Sequence, residues 1–223
     1  MRPYYERGSI RLYLGTAQAL LPEVRGDAVI VTDPPYNVGM DYDGMGDSQP
    51  DDAYRAVLEA CTTPPAVVLH YPERLFQLAQ RHGVPEKVVA WVYHANTPRQ
   101  WRMLAWFGIT PDFTKLGQPY RNPDDVRVAA LIAQGRQARL YDWWLDEQVK
   151  NVGGEKTAHP CQIPIGVMRR AVAITPAPDG ICDPFAGSGT TLVAARQAGV
   201  AAVGIEQSER YCELAARRLA QEL

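Results

Sequence analysis

The run VTDPPYN at 31–37 ends an apolar stretch with a carboxylate, two prolines and an aromatic ring. Proline has no amide proton and a fixed φ, so Pro34 and Pro35 hold the chain stiff and leave carbonyl oxygens without local competition. Asp33 adds a carboxylate acceptor and Tyr36 a stacking surface. Two rigid acceptors above a ring suit an exocyclic NH2 on a flat heterocycle. One amino hydrogen can point at the Asp33 carboxylate and the other at the Pro34 carbonyl, which draws the nitrogen lone pair out of conjugation. The amine becomes a usable nucleophile.

A second run, ICDPFAGSGTTLVAA at 181–195, reads as a strand, a turn of small residues and a helix start. Gly187 and Gly189 let backbone come close to a ligand, and Thr190 and Thr191 open a helix whose amides point into the same space. Glu206 ends the next strand 19 residues after Gly187, where an acid can accept hydrogen bonds from both hydroxyls of a ribose. The spacing fits the first two glycines of GxGxxG, but Leu192 fills the third place, and no lysine follows as a phosphate-binding Walker loop requires. A nucleoside without a phosphate chain fits better.

The elements that must position these two runs alternate. Strands are expected at Ile10–Leu14, Ala28–Val31, Ala66–Tyr71, Lys87–Tyr93, Gly180–Asp183 and Val200–Ile205. Helices are expected at Ala53–Cys61, Pro72–His82, Gly166–Ile174 and Thr190–Ala198, with a closing helix on which Tyr211, Leu214, Ala215 and Leu219 share a face. AQALLPEV makes only a brief helix before Pro22 and Gly26 interrupt. This rhythm implies an α/β fold with a mostly parallel sheet covered on both faces. Residues 37–52, rich in Gly, Asp and Asn, read as a mobile loop beside the Asp33 turn. From 95 to about 156 the rhythm is lost among prolines and aromatics, and this stretch reads as an insertion at one end of the sheet.

At 223 residues the chain suits one domain, 1–223, with about 95–156 inserted. No stretch approaches the length of apolar chain that spans a bilayer, so a soluble, cytoplasmic protein is expected. Cys61, Cys161, Cys182 and Cys212 lie far apart without a CxxC pair and read as free thiols, with no metal site. Residues 1–60 hold ten acids and five bases, whereas 91–160 hold nine bases and seven acids, so the middle has the better claim to a polyanion. Trp143 and Trp144 read as core or hinge packing rather than as wedges between bases.

The pairing of DPPY with DPFAGSGTT resembles the amino-methylating DNA methyltransferases that use S-adenosylmethionine (AdoMet). DPPY precedes the glycine loop and HPCQIP stands just before it at 159–164, an order similar to the permuted β group of that family, adenine-N6 type. YDWWLDEQVKN at 141–151 resembles small phage and actinobacterial members. The resemblance implies a Rossmann-like, doubly wound class I methyltransferase fold, circularly permuted. Ile10–Leu14 would then pair beside Val200–Ile205, and the two motifs would meet across one crevice.

It also implies roles. Asp33, Pro34, Pro35 and Tyr36 would be catalytic, with Tyr36 stacked on a base swung out of the duplex and the 37–52 loop closing over the DNA. Asp183, Pro184, Phe185, Ala186, Gly187, Ser188 and Gly189 would line AdoMet, Thr190 and Thr191 its carboxylate, and Glu206 with Gln207 its ribose. His159 and Gln162 would close the methionine end, and Thr16 would stand near the adenine. The residues around 95–156 would recognise the target, with Asn37, Arg99, Arg102, Lys115, Arg121, Arg136, Arg139, Lys150 and Lys156 against DNA. Two departures are visible: Gly15-Thr16 stands where relatives often have Gly-Asp, and Ile163 where they have lysine. DPPY alone would also fit RNA or protein amines. Cytosine N4 presents an amine to the same acceptors as adenine N6, and a module retaining AdoMet without turnover is the rival from another class. A homodimer and a cognate restriction enzyme stay open as partners.

Overall fold

The computed structural model describes residues 1–149 and 157–221. The chain begins with β1 (Tyr5–Arg7), β2 (Ile10–Leu14), α1 (Ala17–Val24) and β3 (Val29–Thr32), then a short pair, β4 (Asp41–Tyr42) and β5 (Met45–Gly46), and α2 (Asp51–Cys61). It continues through β6 (Ala66–His70), α3 (Pro72–His82), β7 (Lys87–Val92), β8 (Trp101–Phe107), β9 (Gly117–Gln118), α4 (Val126–Ala133), β10 (Ala138–Arg139) and β11 (Trp143–Leu145). The last stretch holds α5 (Ile165–Ile174), β12 (Ile181–Asp183), α6 (Thr190–Gln197), β13 (Ala202–Glu206) and α7 (Glu209–Ala220).

Among the described residues nine strands form one sheet in the order β1-β2-β13-β12-β3-β6-β8-β7-β11. All neighbours from β2 to β6 are parallel, as is β11 beside β7, while β8 is antiparallel to both β6 and β7. Val29 and Val31 pack into the cluster holding residues of α5, α6 and α7, whereas Ile30 joins the cluster holding residues of α1, α2 and α3. Because β3 is covered on both faces, its residues are apolar without alternation. The expected pairing of the first long strand with the last is present, from Ile10↔Ala202 to Leu14↔Glu206.

Three expectations are corrected. The brief helix expected over AQALLPEV is present as α1, but Pro22 does not interrupt it: it runs through to Val24, and Arg25 N–H still reaches the Leu21 carbonyl. A proline deletes its own hydrogen bond but not those that follow, and the buried Ala17 and Leu21 hold the helix to its neighbours. Residues 37–52 contain regular structure, because Asp43 and Gly44, with φ of 62° and 81°, form the tight turn that a two-residue hairpin requires. The hairpin is tied down by Asn37 Nδ2 donating to the Gln49 carbonyl at 2.9 Å and Gln49 N–H donating to Asn37 Oδ1 at 2.7 Å.

The third correction concerns 95–156. Trp101–Phe107 is not outside the sheet but lies in its interior, between β6 and β7. Residues 103–107 are buried, so the strand reads as a continuous apolar run whose tryptophans mimic a loop-rich insertion. Trp144 is a core residue and Trp143 is exposed, stacked on Tyr141.

Candidate active site

β3 and β12 are parallel neighbours, with Ile181 opposite Val29 and Cys182 opposite Ile30. The Asp33 turn and the 183–189 turn therefore leave the sheet from adjacent strand ends, where open α/β sheets bind ligands. Thr32 Oγ1 donates to Asp183 Oδ1 at 2.6 Å, and Phe185 N–H donates to the same oxygen at 3.1 Å. Burial pushes the Asp183 pKa up against these donors. This carboxylate ties the two turns together.

A cavity of about 210 Å³ opens above them. Asp33, Pro34, Pro35 and Tyr36 line one part, and Pro184, Phe185, Gly187, Glu206 and Gln207 another. A smaller recess is lined by Gln162, Asp183, Ala186, Ser188, Thr190 and Thr191. Asp33, His159, Cys161, Phe185 and Gly187 border both, so the two spaces adjoin.

Asp33 is the carboxylate of the turn, and its surroundings hold it far from its ordinary pKa. Burial raises its pKa to about 7, the Arg102 guanidinium and the Tyr36 hydroxyl pull it down, and Asp183 adds a further push up. Tyr36 Oη donates to Asp33 Oδ1 at 2.6 Å. The Tyr36 ring is only 9% exposed, packed against His70 at 4.3 Å, the edge of Tyr71 at 4.6 Å and Arg102 at 4.7 Å. It does not present the open face expected for a stacked base.

Arg102 is likewise misplaced by the sequence reading. Its guanidinium sits within 6 Å of the rings of Tyr36, Tyr71, Trp91 and Tyr93, lines the cavity, and has a buried Nε without a partner among the described residues. The residue points inward from β8, so its charge acts on Asp33 and not on a surface phosphate.

The glycine loop behaves as a cradle. Gly187 has φ of 50°, and a Cβ there would lie 2.9 Å from His159 Nε2. Its N–H donates to Glu206 Oε2 at 2.8 Å, and Ser208 N–H donates to Glu206 Oε1 at 2.8 Å. With the Gln207 backbone also bonded to this carboxylate, part of its acceptor capacity remains for a ligand. Gly189, with φ of 78°, instead faces Ala215, where a Cβ would come within 2.8 Å, so its task is packing against α7. Thr16 is exposed and outside the cavity wall, which its neighbours Gly15, Ala17 and Gln18 line. Asp47, which the sequence reading passed over, lines the cavity with a buried Oδ2 that has no partner among the described residues. Tyr42, Tyr54, Tyr71 and Tyr211 also line the cavity, and only their spatial convergence reveals them.

The remaining nucleic-acid candidates scatter. Asn37 is engaged in the hairpin, and Arg99 is paired with Glu73 at 3.1 and 3.2 Å while covering Tyr71 at 3.9 Å. Lys115, Arg121, Arg136 and Arg139 are exposed and outside the cavity wall. Lys150 and Lys156 lie outside the described residues.

Residues 65–217 match the model of the N6/N4 methylase family, described as DNA methylase. The chain belongs to the N6/N4 DNA methylase family. It is 28% identical to the type II methyltransferase M.ScaI of Streptomyces caespitosus over 265 residues, covering 99% of this chain and 84% of that protein. Among solved structures, the cytosine-N4-specific PvuII DNA methyltransferase superposes with a TM-score of 0.69 at 16% identity, over 99% of this chain and 89% of that one. M1.HpyAVI, solved with AdoMet, does so with a TM-score of 0.59 at 19% identity, over 94% and 99%. These likenesses establish an N6/N4 methylase on a class I methyltransferase fold. The family match begins at residue 65, so the Asp33 turn lies before it.

Proposed function

We propose that the chain transfers a methyl group from AdoMet to the exocyclic N6 amine of adenine in DNA, as a member of the permuted β group. The observation that supports this reading is the shared cavity, which Asp33 and Pro34 line together with Gly187 and Glu206. The residues present suit AdoMet. Glu206 offers acceptor capacity to ribose hydroxyls, Phe185 a flat wall, Gly187 a gap that any side chain would fill, and Asp47 an unused acceptor. Ser188, Thr190, Thr191, Gln162 and His159 line the recess where its amino-acid end would lie.

When bound, AdoMet supplies a methyl carbon made electrophilic by its sulfonium. The chain's own groups do the rest. Asp33 and the Pro34 carbonyl accept the two amino hydrogens, so the nitrogen lone pair is held away from the heterocycle's π system. With AdoMet bound, the nitrogen held by Asp33 and Pro34 would take the methyl carbon as the C–S bond broke, with the electron pair left on sulfur. The surplus proton on nitrogen can pass to Asp33, whose pKa near 7 allows it to take and release a proton at neutral pH. Holding the partners in line contributes about 7–11 kcal/mol to such a reaction. Arg102, 4.7 Å from the Tyr36 ring and without a salt bridge among the described residues, borders the space a base beside Tyr36 would enter.

Target recognition falls to the outer part of 95–156 in a single 1–223 domain, with Lys115, Arg121, Arg136 and Arg139 toward the backbone phosphates. The assignment of adenine rests on aspartate at position 33. The test incubates the protein with tritiated AdoMet and mixed-sequence DNA, followed by nucleoside mass spectrometry. N6-methyladenine is expected, N4-methylcytosine would move the target to cytosine, and no transfer would overturn the reading. Asp33→Ala should lower turnover at least about 100-fold while AdoMet still binds.

A further inference from the structure

The Asp33 turn is braced by a chain of buried and partly buried hydrogen bonds. His70, the last residue of β6, is fully buried, and its Nδ1 accepts the Tyr71 backbone N–H at 2.7 Å. A ring nitrogen that accepts from an amide carries no proton, so the proton of the neutral imidazole lies on Nε2. Burial drives the His70 pKa down to about 3, so the ring stays neutral at physiological pH. Nε2 lies 2.6 Å from Tyr54 Oη and donates to it, which commits the Tyr54 hydroxyl hydrogen elsewhere. That hydrogen goes to the Pro35 carbonyl at 2.7 Å. Every donor thus points one way, from the Tyr71 backbone just after β6 to the second proline.

Two consequences bear on the turn. The Pro35 carbonyl is occupied, which leaves the Pro34 carbonyl as the backbone acceptor beside Asp33. The His70 ring also packs on Tyr36 at 4.3 Å, with 34° between the planes, and Tyr36 in turn bonds Asp33. One imidazole therefore steadies both ends of the tetrapeptide. Tyr54 comes from α2 and His70 from β6, so the sequence places neither beside residues 33–36.

We propose that Tyr54 and His70 are positioning residues for methyl transfer, setting the angle of the Pro34 carbonyl and the Asp33 carboxylate toward the target amine. The proposal rests on the reading given above. If the chain served only to satisfy buried polar groups, breaking it would lower stability and leave turnover alone. If it aims the acceptors, breaking it lowers kcat while AdoMet affinity stays.

The test uses the full chain with Tyr54→Phe, His70→Gln and His70→Leu, assayed with tritiated AdoMet and mixed-sequence DNA at saturation. AdoMet binding is measured by calorimetry without DNA, and thermal midpoints are recorded for each variant. Tyr54→Phe keeps the ring and removes only the hydroxyl, and we expect kcat to fall about tenfold or more, the scale of a misaligned near-attack geometry. AdoMet affinity should stay within about twofold. His70→Leu should match Tyr54→Phe, whereas His70→Gln, whose amide can still donate to Tyr54, should keep most of the activity. Unchanged kcat in Tyr54→Phe overturns the proposal, as does a loss of kcat matched by the loss of AdoMet affinity or of folded protein. Should His70→Leu fail to fold, Tyr54→Phe decides alone. Absence of transfer by the unaltered protein on any DNA removes the functional reading and the assignment with it; transfer that is indifferent to Tyr54 removes only the assignment.

Discussion

Asp33 shares a buried space with a second carboxylate, Asp183, and a guanidinium, Arg102, and the balance among them sets its protonation. Burial raises its pKa to about 7, and Arg102 holds it below where burial and Asp183 would take it. The acceptor form is the carboxylate, so activity should be full above this pKa and decline as pH falls through it. The expected kcat/KM profile has an acid limb centred near 7, falling about tenfold per pH unit below roughly 6. Arg102→Met removes the cation that favours the charged form. The Asp33 pKa then rises further and the limb moves to higher pH, which a pH series on the two proteins reads directly. An unshifted limb would mean that a different group titrates. Of these residues, Asp33 and its acceptor role are legible in DPPY itself, because two prolines and an acid have few other uses at a strand end. The role of Arg102 is not legible, since nothing local separates an inward arginine from an outward one.

The elements carry two further outcomes. Gly187 stands at φ of 50° with His159 Nε2 2.9 Å from where a Cβ would be. Gly187→Ala should therefore weaken AdoMet binding by about tenfold or more by calorimetry, because the cradle either strains or pushes His159 aside. β8 is the element that sequence reading treats as inserted. Trp106 is fully buried there, its Nε1 donates to Thr175 Oγ1 at 2.9 Å, and its ring meets Trp144 edge-on at 6.4 Å. Trp106→Ala should cost about 3–5 kcal/mol in urea unfolding, as for large buried aromatics, and so behave as a core lesion. A loss below about 1 kcal/mol would return this strand to the periphery. Helices and parallel strands are readable because period and β-branching are local. An antiparallel strand rich in tryptophan is not, because only its place between β6 and β7 reveals that it is covered on both faces.

Across the molecule, the basic residues that stay outward lie apart from the cavity. Replacing Lys115, Arg121, Arg136 and Arg139 together by glutamine should flatten the dependence of DNA affinity on salt by up to about four units of slope. AdoMet affinity should be unaffected, and a slope that does not move would place DNA on another face. The order of the chain is the other whole-molecule feature. β2 pairs with β13 and β3 with β12, so the first and last quarters of the sequence build the sheet centre together and bring Asp33 next to Asp183. From sequence alone come the two chemical runs and their alternating supports, since each follows from backbone preferences and side-chain types within short windows, while the crevice between them is expected only from the family resemblance in the order of the motifs. Tertiary structure alone decided that Arg102 turns inward, that Tyr36 is covered, and that Tyr54 and His70 brace the prolines. Those facts depend on contacts between strands and helices far apart in the chain, and local patterning holds no record of which distant side chain will arrive.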